Sequence, residues 1–421
     1  MGGSGIRAYE LARALSPHAD VVLAAPCAQE PAEPSALDVA VHEYDFLHQR
    51  GLRAVLDGAH AVVAQPPWPH IAHELERSGA RLIFDLYNPE PLEVLEHARR
   101  RGPLVRRAAA TLTVDRIAGA IHRGHHLMCA SEKQRDLWLG SMLADRLIAP
   151  ASYDRDPSLR AQLDVVPFGV PREPAEARAD GVRERFPEIA ADDEVILWNG
   201  GIWPWLDAPT AIRAAALLAE RRSGVRLVFM GTGGSSPSGV AAAREATALA
   251  EELGVLGGAV LFNDRWVPYE RRADWLLAAD CAVSTHHEHL ETRYAFRTRL
   301  LDCLWAGLPV VCTRGDELAD RVERDGLGAG VPERDPDVLA DALERVLERG
   351  RSAYAQPLAA AAQDFAWDRV TEPLVRWVTA AEEPPRIGRP ATPRPGQVAR
   401  DLAFRAAVEA LRAAGRDWPR L

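Results

Sequence analysis

Lysine is almost missing from this chain: Lys133 is the only one in 421 residues, so arginine carries nearly all of the positive charge. High-GC codon usage accounts for that bias more simply than function does. Positive charge is not in surplus either. The formal net charge is −10, which argues against nucleic acid as the main partner, because a phosphate backbone demands a basic surface. No CxxC pair occurs among the five cysteines, Cys27, Cys129, Cys281, Cys303 and Cys312. Their odd number and mostly apolar neighbours point to reduced, buried thiols in a cytosol, and away from a disulfide framework or a metal or redox centre. No apolar run reaches the roughly 18 residues that a membrane-spanning helix needs. No signal peptide is recognisable, and no short-period repeat is present.

What is present is enough apolar sequence, 47%, for two domains each with its own core. MGGSGIRAYELARAL reads as a glycine loop feeding an amphipathic helix, with Ile6, Tyr9, Leu11, Ala12 and Leu15 on one face. HADVVLAAP, AHAVVAQPP, ARLIFDLYNP, HHLMCAS and DVVPFGVP read as buried strands separated by helical segments. After a Pro- and Glu-rich stretch at 171–190 the pattern restarts with EVILWNGG, VRLVFMGTGG, AVLFND, DCAVSTH and LPVVCT. Strands alternating with helices imply parallel, doubly wound sheets. The expected fold class is α/β, with two Rossmann-like domains facing each other across a cleft. Residues 1–170 form the first, without the strand that normally precedes a glycine loop; an upstream start or a missing central strand would explain this. Residues 171–365 form the second. Residues 366–421 supply helices that pack back on the first, interrupted by the Pro-rich linker PPRIGRPATPRPG. The last segment, DLAFRAAVEALRAAG, is amphipathic and docks on the protein or, as a second option, on a membrane surface.

Five places carry candidate chemistry. Gly2, Gly3 and Gly5 permit close backbone approach to a ligand at a helix N-terminus, unless they are only a flexible end. Gly231, Thr232, Gly233 and Gly234 follow a strand where such folds bind ligands, or simply turn the chain. NGGIWPWLD, residues 199–207, offers Gly201 and two indoles, Trp203 and Trp205, as a platform for a base or a sugar face, or as a packing ledge. In STHHEHLETRYAFRTRLLD, residues 284–302, His286, His287, Glu288 and His289 lack the spacing of a helical zinc pair and suit sugar hydroxyls better. Arg297 and Arg299 suit phosphates, and Asp302, among apolar neighbours, suits ribose hydroxyls. In FDLYNPEPLE the groups Asp85, Tyr87, Asn88 and Glu90 stand at a strand's carboxyl end. Asn88 also reads as a helix cap, which leaves Asp85 as the leading acid. Ser131 with Gln134 reads as a capping box.

GGSGIRAYELARAL, CASEKQRDLWLG, DVVPFGVP, VRLVFMGTGG, LLDCLWAGLPVV and FAWDRVTEPLVRWV, taken in order from Gly2 to about Val378, resemble the retaining family 4 glycosyltransferases of GT-B fold. The resemblance implies that Gly3 and Ser4 help hold a donor diphosphate. It also implies a motif of two acids separated by seven residues. The second falls on Asp302; the first falls on Tyr294, and Glu291 is the available replacement. The arginine and lysine that the family places after the second domain's first strand are absent from GGIWPWLD. Arg297 and Arg299, with Arg265 as an option, are the natural substitutes. This makes the chain a divergent bacterial member whose catalytic residues would be Asp85, Glu291, Arg297 and Arg299. Donor contacts would come from Gly3, Ser4, Gly201, Trp203, Gly231, Thr232, Gly233, His287, Glu288, Arg297, Arg299 and Asp302.

The implied activity is hexosyl transfer with retention, without a metal and without a cofactor beyond the nucleotide-diphosphate sugar as co-substrate. The acceptor would be a small molecule, a polysaccharide or a lipid-linked group. The expected location is cytoplasmic, with membrane contact at most peripheral to the inner face. Two alternatives stay open: a non-catalytic nucleotide-sugar-binding subunit, favoured by the altered acid motif, and a nucleotide-sugar epimerase, for which Glu288 and Glu291 would supply the carboxylates.

Overall fold

The computed structural model describes residues 3–27, 38–99, 101–232, 237–382 and 384–388, together with 402, 403 and 406. Gly2, Gly233, Gly234, most of the Pro-rich linker and nearly all of DLAFRAAVEALRAAG lie outside the described residues. The chain divides into two compact units. One is built from the residues up to Phe168 together with the chain from Trp367 onward, the other from Gly169–Ala366. No described helix is long and apolar enough to cross a membrane.

Among the described residues the first unit has six strands: β1 (Val22–Pro26), β2 (Ala40–Tyr44), β3 (Ala61–Ala64), β4 (Arg81–Asp85), β5 (His126–Cys129) and β6 (Leu163–Val165). They form a parallel pair, β1-β2, and a parallel four-stranded sheet, β3-β4-β5-β6. All five residues of β4 and all four of β5 are buried, as expected for parallel strands covered on both faces. The helices Pro103–Arg123 and Glu132–Ala144 supply Ile117, Ile121, Trp138 and Met142 to a core shared with Leu82, Phe84, Leu127 and Leu163. Each such side chain contributes roughly 1.5–3 kcal/mol by leaving water. Ser131 accepts from the Gln134 N–H at 3.2 Å and caps the helix, while Gln134 Oε1 accepts from the Ala130 N–H at 2.8 Å, one residue before the N–H that a capping box would use.

Two features differ from the sequence reading. The first helix runs Gly3–Leu15, so Gly3, Ser4 and Gly5 are its first turn and not a loop. The N–H groups of a first turn have no intrahelical partner in any case, and buried Tyr9, Leu11, Ala12 and Leu15 hold the helix in place. The strand in HADVVLAAP is not buried: Val22 is 52% exposed, because among the described residues β1 pairs with β2 alone. The chain from Trp367 returns as two short helices, Trp367–Val370 and Glu372–Thr379. Buried Arg81 donates to the carbonyls of Trp377, Ala380 (2.9 Å) and Glu382 (2.7 Å). It thereby holds the last turn of the helix Glu372–Thr379 and the chain just after it. Trp377 stacks on His126 at 4.6 Å, and Ile387 joins the core.

The second unit is one parallel sheet of β7 (Glu194–Trp198), β8 (Val225–Phe229), β9 (Val260–Phe262), β10 (Cys281–Ser284), β11 (Val310–Thr313) and β12 (Gly328–Val331). Its order is β12-β11-β10-β7-β8-β9. The first strand is therefore central and the winding reverses between β7 and β10. In such sheets, ligands bind beyond the carboxyl ends of the strands at this reversal. Val195, Ile196, Leu197 and Trp198 are fully buried, and Phe229 packs between Trp198 and Phe262 at 5.3 and 4.6 Å. At Gly328 an added Cβ would lie 1.9 Å from the Val310 carbonyl oxygen, so only glycine lets β12 close on β11.

Candidate functional site

The segment leaving β7 is pinned to the segment leaving β10. Asp207 N donates to Thr285 O at 2.9 Å, Thr285 Oγ1 donates to Asp207 O at 2.6 Å, and Leu206 bridges His286. Asp207 also caps the helix Ala208–Arg221 through the Thr210 N–H at 3.2 Å. Between these anchors the backbone at Gly200 has φ of +124°, a conformation essentially restricted to glycine. A Cβ there would stand 3.5 Å from the Arg299 guanidinium.

Arg299, in the helix Thr298–Trp305, turns toward this loop. Its Nη2 donates to Gly201 O at 3.0 Å, and its charge lies 5.3 Å over the Trp198 ring. Asn199 Nδ2 donates to the Arg299 carbonyl at 2.7 Å. Two polar atoms here are buried without a hydrogen-bond partner, Arg299 Nη1 and Asn199 Oδ1. Among the described residues no carboxylate pairs with Arg299. Burial first, then the neighbouring Arg297 charge, lowers its pKa to about 10. A half-buried cation with a buried, unused N–H is poised for an anion.

Arg297 is committed differently. Its Nη2 donates to Glu291 Oε2 at 2.8 Å and to Thr292 Oγ1 at 3.4 Å, with both charged groups buried. His289 Nδ1 lies 3.5 Å from the same carboxylate oxygen. Behind the pair, His286 Nε2 lies 3.3 Å from Arg314 O and 4.0 Å from Asp316 Oδ2. Burial, helped by Arg297, lowers the His286 pKa to about 3, so it is neutral. Asp316 caps the helix Glu317–Arg324 with Oδ1, while its Oδ2 has no hydrogen-bond partner. Burial raises its pKa to about 6, against the pull of Arg297.

The other expected residues fall in three groups. Near the β7 loop lie Gly201, Trp203, Gly231 and Thr232. Trp203 and Trp205 stack at 5.4 Å, within 4° of parallel, and Gly231 faces Gly200. Thr232 gives both its N–H and its hydroxyl to Asn263 O, at 3.0 and 2.7 Å. On the rim, His287 meets Asp207 at 3.7 Å and Arg334 at 3.4 Å, and Glu288 is exposed. Asp302 turns away from Arg299: its Oδ1 accepts from Arg272 Nε at 3.0 Å, and burial raises its pKa against that cation. Arg272 is sandwiched between Tyr269 and Trp305 at 3.7 and 4.3 Å. Gly233 lies outside the described residues, and Arg265 is exposed.

In the first unit, Ser4 is exposed on the first helix. Asp85 is occupied by a buried partner: Arg7 Nε and Nη2 donate to its two oxygens at 2.5 and 2.9 Å, while Arg7 also reaches the carbonyls of Val166 and Pro167. Asp85 thus ties the first helix to the sheet, a job that its position in the sequence does not announce. Sequence reasoning passed over Asn199, Asp316 and Arg272. An asparagine directly after an apolar run, and an aspartate directly before ELADRV, were signals for the first two. Among the described residues, no group of three His, Cys, Asp or Glu side chains could hold a metal ion.

Two parallel α/β units in one chain, the second with these loops at its winding reversal, are the architecture of the GT-B glycosyltransferases. WaaG, a glycosyltransferase involved in lipopolysaccharide biosynthesis, matches with a TM-score of 0.61 at 18% identity, over 90% of this chain and 97% of its own. Anabaena Alr3699/HepE in complex with UDP-glucose matches with a TM-score of 0.61 at 16% identity, over 89% and 95%. More specifically, residues 193–349 match the family described as "Glycosyl transferases group 1". The D-inositol 3-phosphate glycosyltransferase of Saccharomonospora viridis is 32% identical over 248 residues, 55% of this chain and 54% of the relative. That of Actinosynnema mirum is 34% identical over 250 residues, 55% of this chain and 56% of the relative. The chain spans about half the length of these curated relatives.

Proposed function

We propose that this protein is a retaining, metal-independent hexosyltransferase that takes its sugar from a nucleotide-diphosphate sugar. The observation that carries the reading is Arg299 with Asn199: a half-buried guanidinium with no paired carboxylate among the described residues, and two buried, unused polar atoms, beside Gly200 and Gly201 at the reversal of the second sheet. Arg299 would bind the departing diphosphate. The stacked Trp203 and Trp205 would present a flat face to the base or sugar, with Gly231, Thr232, His287 and Glu288 around it. In the reaction, the bond from the anomeric carbon to the diphosphate oxygen breaks, and an acceptor oxygen bonds on the same face. The acceptor's proton passes to the leaving diphosphate. Fixed donors that neutralise this developing dianion lower the barrier without reorganisation.

Arg297 would act by position, its charge already balanced by Glu291. Asp302 would meet ribose hydroxyls with the oxygen that Arg272 leaves unused. The names of the relatives make a phosphorylated polyol one acceptor to test, beside polysaccharide and lipid-linked hydroxyls, and UDP the first nucleotide. No cofactor enters the reading, and the location it implies is cytoplasmic, with peripheral membrane contact. One observation favours a second reading, donor binding without transfer: Glu291 and Asp302, the acids assigned to the altered motif, are both held in ion pairs.

A thermal-shift screen against UDP, GDP, dTDP, ADP and CDP comes first. A ligand at a hundredfold excess over its dissociation constant stabilises the native state by about 2.7 kcal/mol. A shift with one nucleotide, followed by turnover of its sugar conjugate, supports transfer. A shift without turnover on any acceptor supports the binding reading, and no shift with any nucleotide overturns both.

A further inference from the structure

The proposed donor site leaves one cation unexplained. Arg272 opens the helix Arg272–Leu276, is 7% exposed, and enters the site only as the partner of Asp302. Three residues enclose it. Its guanidinium stands 3.7 Å from the centre of the Tyr269 ring and 4.3 Å from that of Trp305. Its Nη1 donates to the Tyr269 carbonyl at 2.9 Å, and its Nε donates to Asp302 Oδ1 at 3.0 Å. The walls are themselves fixed. Trp305 Nε1 donates to the Glu173 carbonyl at 2.8 Å, and Tyr269 begins a tight turn, Tyr269–Arg271, that runs straight into the helix of Arg272. Asp302 and Trp305 lie three residues apart on the helix Thr298–Trp305, so one face of that helix meets the cation.

A brace between two elements needs only a charge. What the aromatic cage adds is direction. A planar guanidinium stacked between two rings is held against rotation. The carboxylate oxygen bonded to its Nε is fixed in turn, and the second oxygen is fixed with it. Asp302 Oδ2 receives no hydrogen bond among the described residues. The Asp302 side chain is 33% exposed, so a ligand can reach that oxygen. Desolvation of the carboxyl raises its pKa, and Arg272 opposes the rise. An ionised carboxylate only accepts hydrogen bonds, which is what hydroxyl donors require.

We infer that Arg272 is a positioning residue for donor choice: its aromatic cage aims Asp302 Oδ2 at the ribose, so that the site selects ribonucleotide donors over deoxyribonucleotide ones. The inference rests on the reading of Asp302 as the ribose acceptor. A deoxyribose leaves a partly desolvated carboxylate oxygen short of a partner. Sites built around a substrate hydroxyl reject analogues that lack it. UDP, GDP and ADP sugars thus fall inside the donor class, and dTDP sugars fall outside it.

The full chain is titrated in a calorimeter with UDP, GDP and ADP, and with the 2′-deoxy and 3′-deoxy form of each. The nucleotide that binds should do so roughly tenfold more tightly than one of its deoxy forms. Arg272→Met and Asp302→Ala should each remove this preference, by weakening the ribonucleotide to the level of the deoxy form. Arg272→Lys keeps a charge beside Asp302 and so protects the fold, but it lacks the stacked fork and should lose the preference too. A residue that merely braced the helix would weaken all forms equally and leave their ratio intact. A parent without any preference refutes the ribose reading of Asp302, and the inference falls with it. A preference that Asp302→Ala removes and Arg272→Lys retains overturns the inference alone. Tighter binding of dTDP than of every ribonucleotide overturns it as well.

Discussion

Replacing Arg299 with methionine removes a charge while keeping most of the side chain's length and its packing against Trp198. The structure allows the effect to be worked in two parts. Burial and the neighbouring Arg297 lower the Arg299 pKa from 12.5 to about 10, a cost of about 3 kcal/mol for keeping the group charged. The hydrogen bond to Gly201 O, worth about 1 kcal/mol net, would be lost. Arg299→Met should therefore raise the stability of the unliganded protein by about 2 kcal/mol. The effect on ligand binding runs the other way. A charge-assisted hydrogen bond to phosphate contributes about 1.5–3 kcal/mol, so affinity for the nucleotide diphosphate should fall roughly 10- to 150-fold. Titration calorimetry and urea unfolding on the same preparations measure both. The opposite pattern, a less stable variant with undiminished affinity, would show that Arg299 is a structural strut and that the anion site lies elsewhere.

Other outcomes follow from the ion pairs and buried groups. Asp85→Ala leaves Arg7 buried with no countercharge and should cost about 3–5 kcal/mol in unfolding free energy; a loss under 1 kcal/mol by urea denaturation contradicts that role. His286 stays neutral in the folded protein down to about pH 3 but protonates near 6.5 when unfolded. The unfolded state therefore binds the extra proton in that window, and stability falls as pH drops through it. Asp316, raised from 3.8 to about 6, works in the opposite sense, because there the folded state is protonated first. His286→Gln should accordingly flatten or invert the fall in Tm between pH 6.5 and 4, and an unchanged profile rejects the assignment. Asp302→Ala should weaken nucleotide-diphosphate binding about tenfold if its unused oxygen meets ribose. Equal affinity in calorimetry would confine Asp302 to bracing Arg272.

The parallel sheets were legible because their central strands are built on short apolar runs: LIF in β4, LMC in β5, VILW in β7 and VVC in β11 need no partner to be recognised. Strand β2, AVHEY, was missed because it alternates and stands half in water beside β1. Strand β12, GAGV, was missed because its glycines answer to tertiary neighbours, Gly328 to the Val310 backbone and Gly330 to the Glu323 side chain. The loops beyond β7 and β10 were placed by the same periodicity that placed the strands. What the side chains do there was harder to read. Arg297 and Arg299, two residues apart, take unlike tasks because one faces Glu291 and the other faces Gly201. Asp302 meets Arg272 from thirty residues away, and Asp85 meets Arg7 from seventy-eight. Such pairings come from tertiary packing, which local spacing does not encode.

The clasp that Arg81 makes on Trp377, Ala380 and Glu382 has a consequence for biosynthesis. The first unit is discontinuous along the chain, and the second, Gly169–Ala366, is a single stretch inserted within it. A ribosome delivers residues up to Phe168 long before Trp377 stacks on His126 and Ile387 enters the core. The early segment must therefore wait, incomplete, while a unit made later closes by itself. Domains usually mature in order of synthesis; here the chain that starts first is finished last. A truncation before Trp377 would spare the inserted unit and open the discontinuous one.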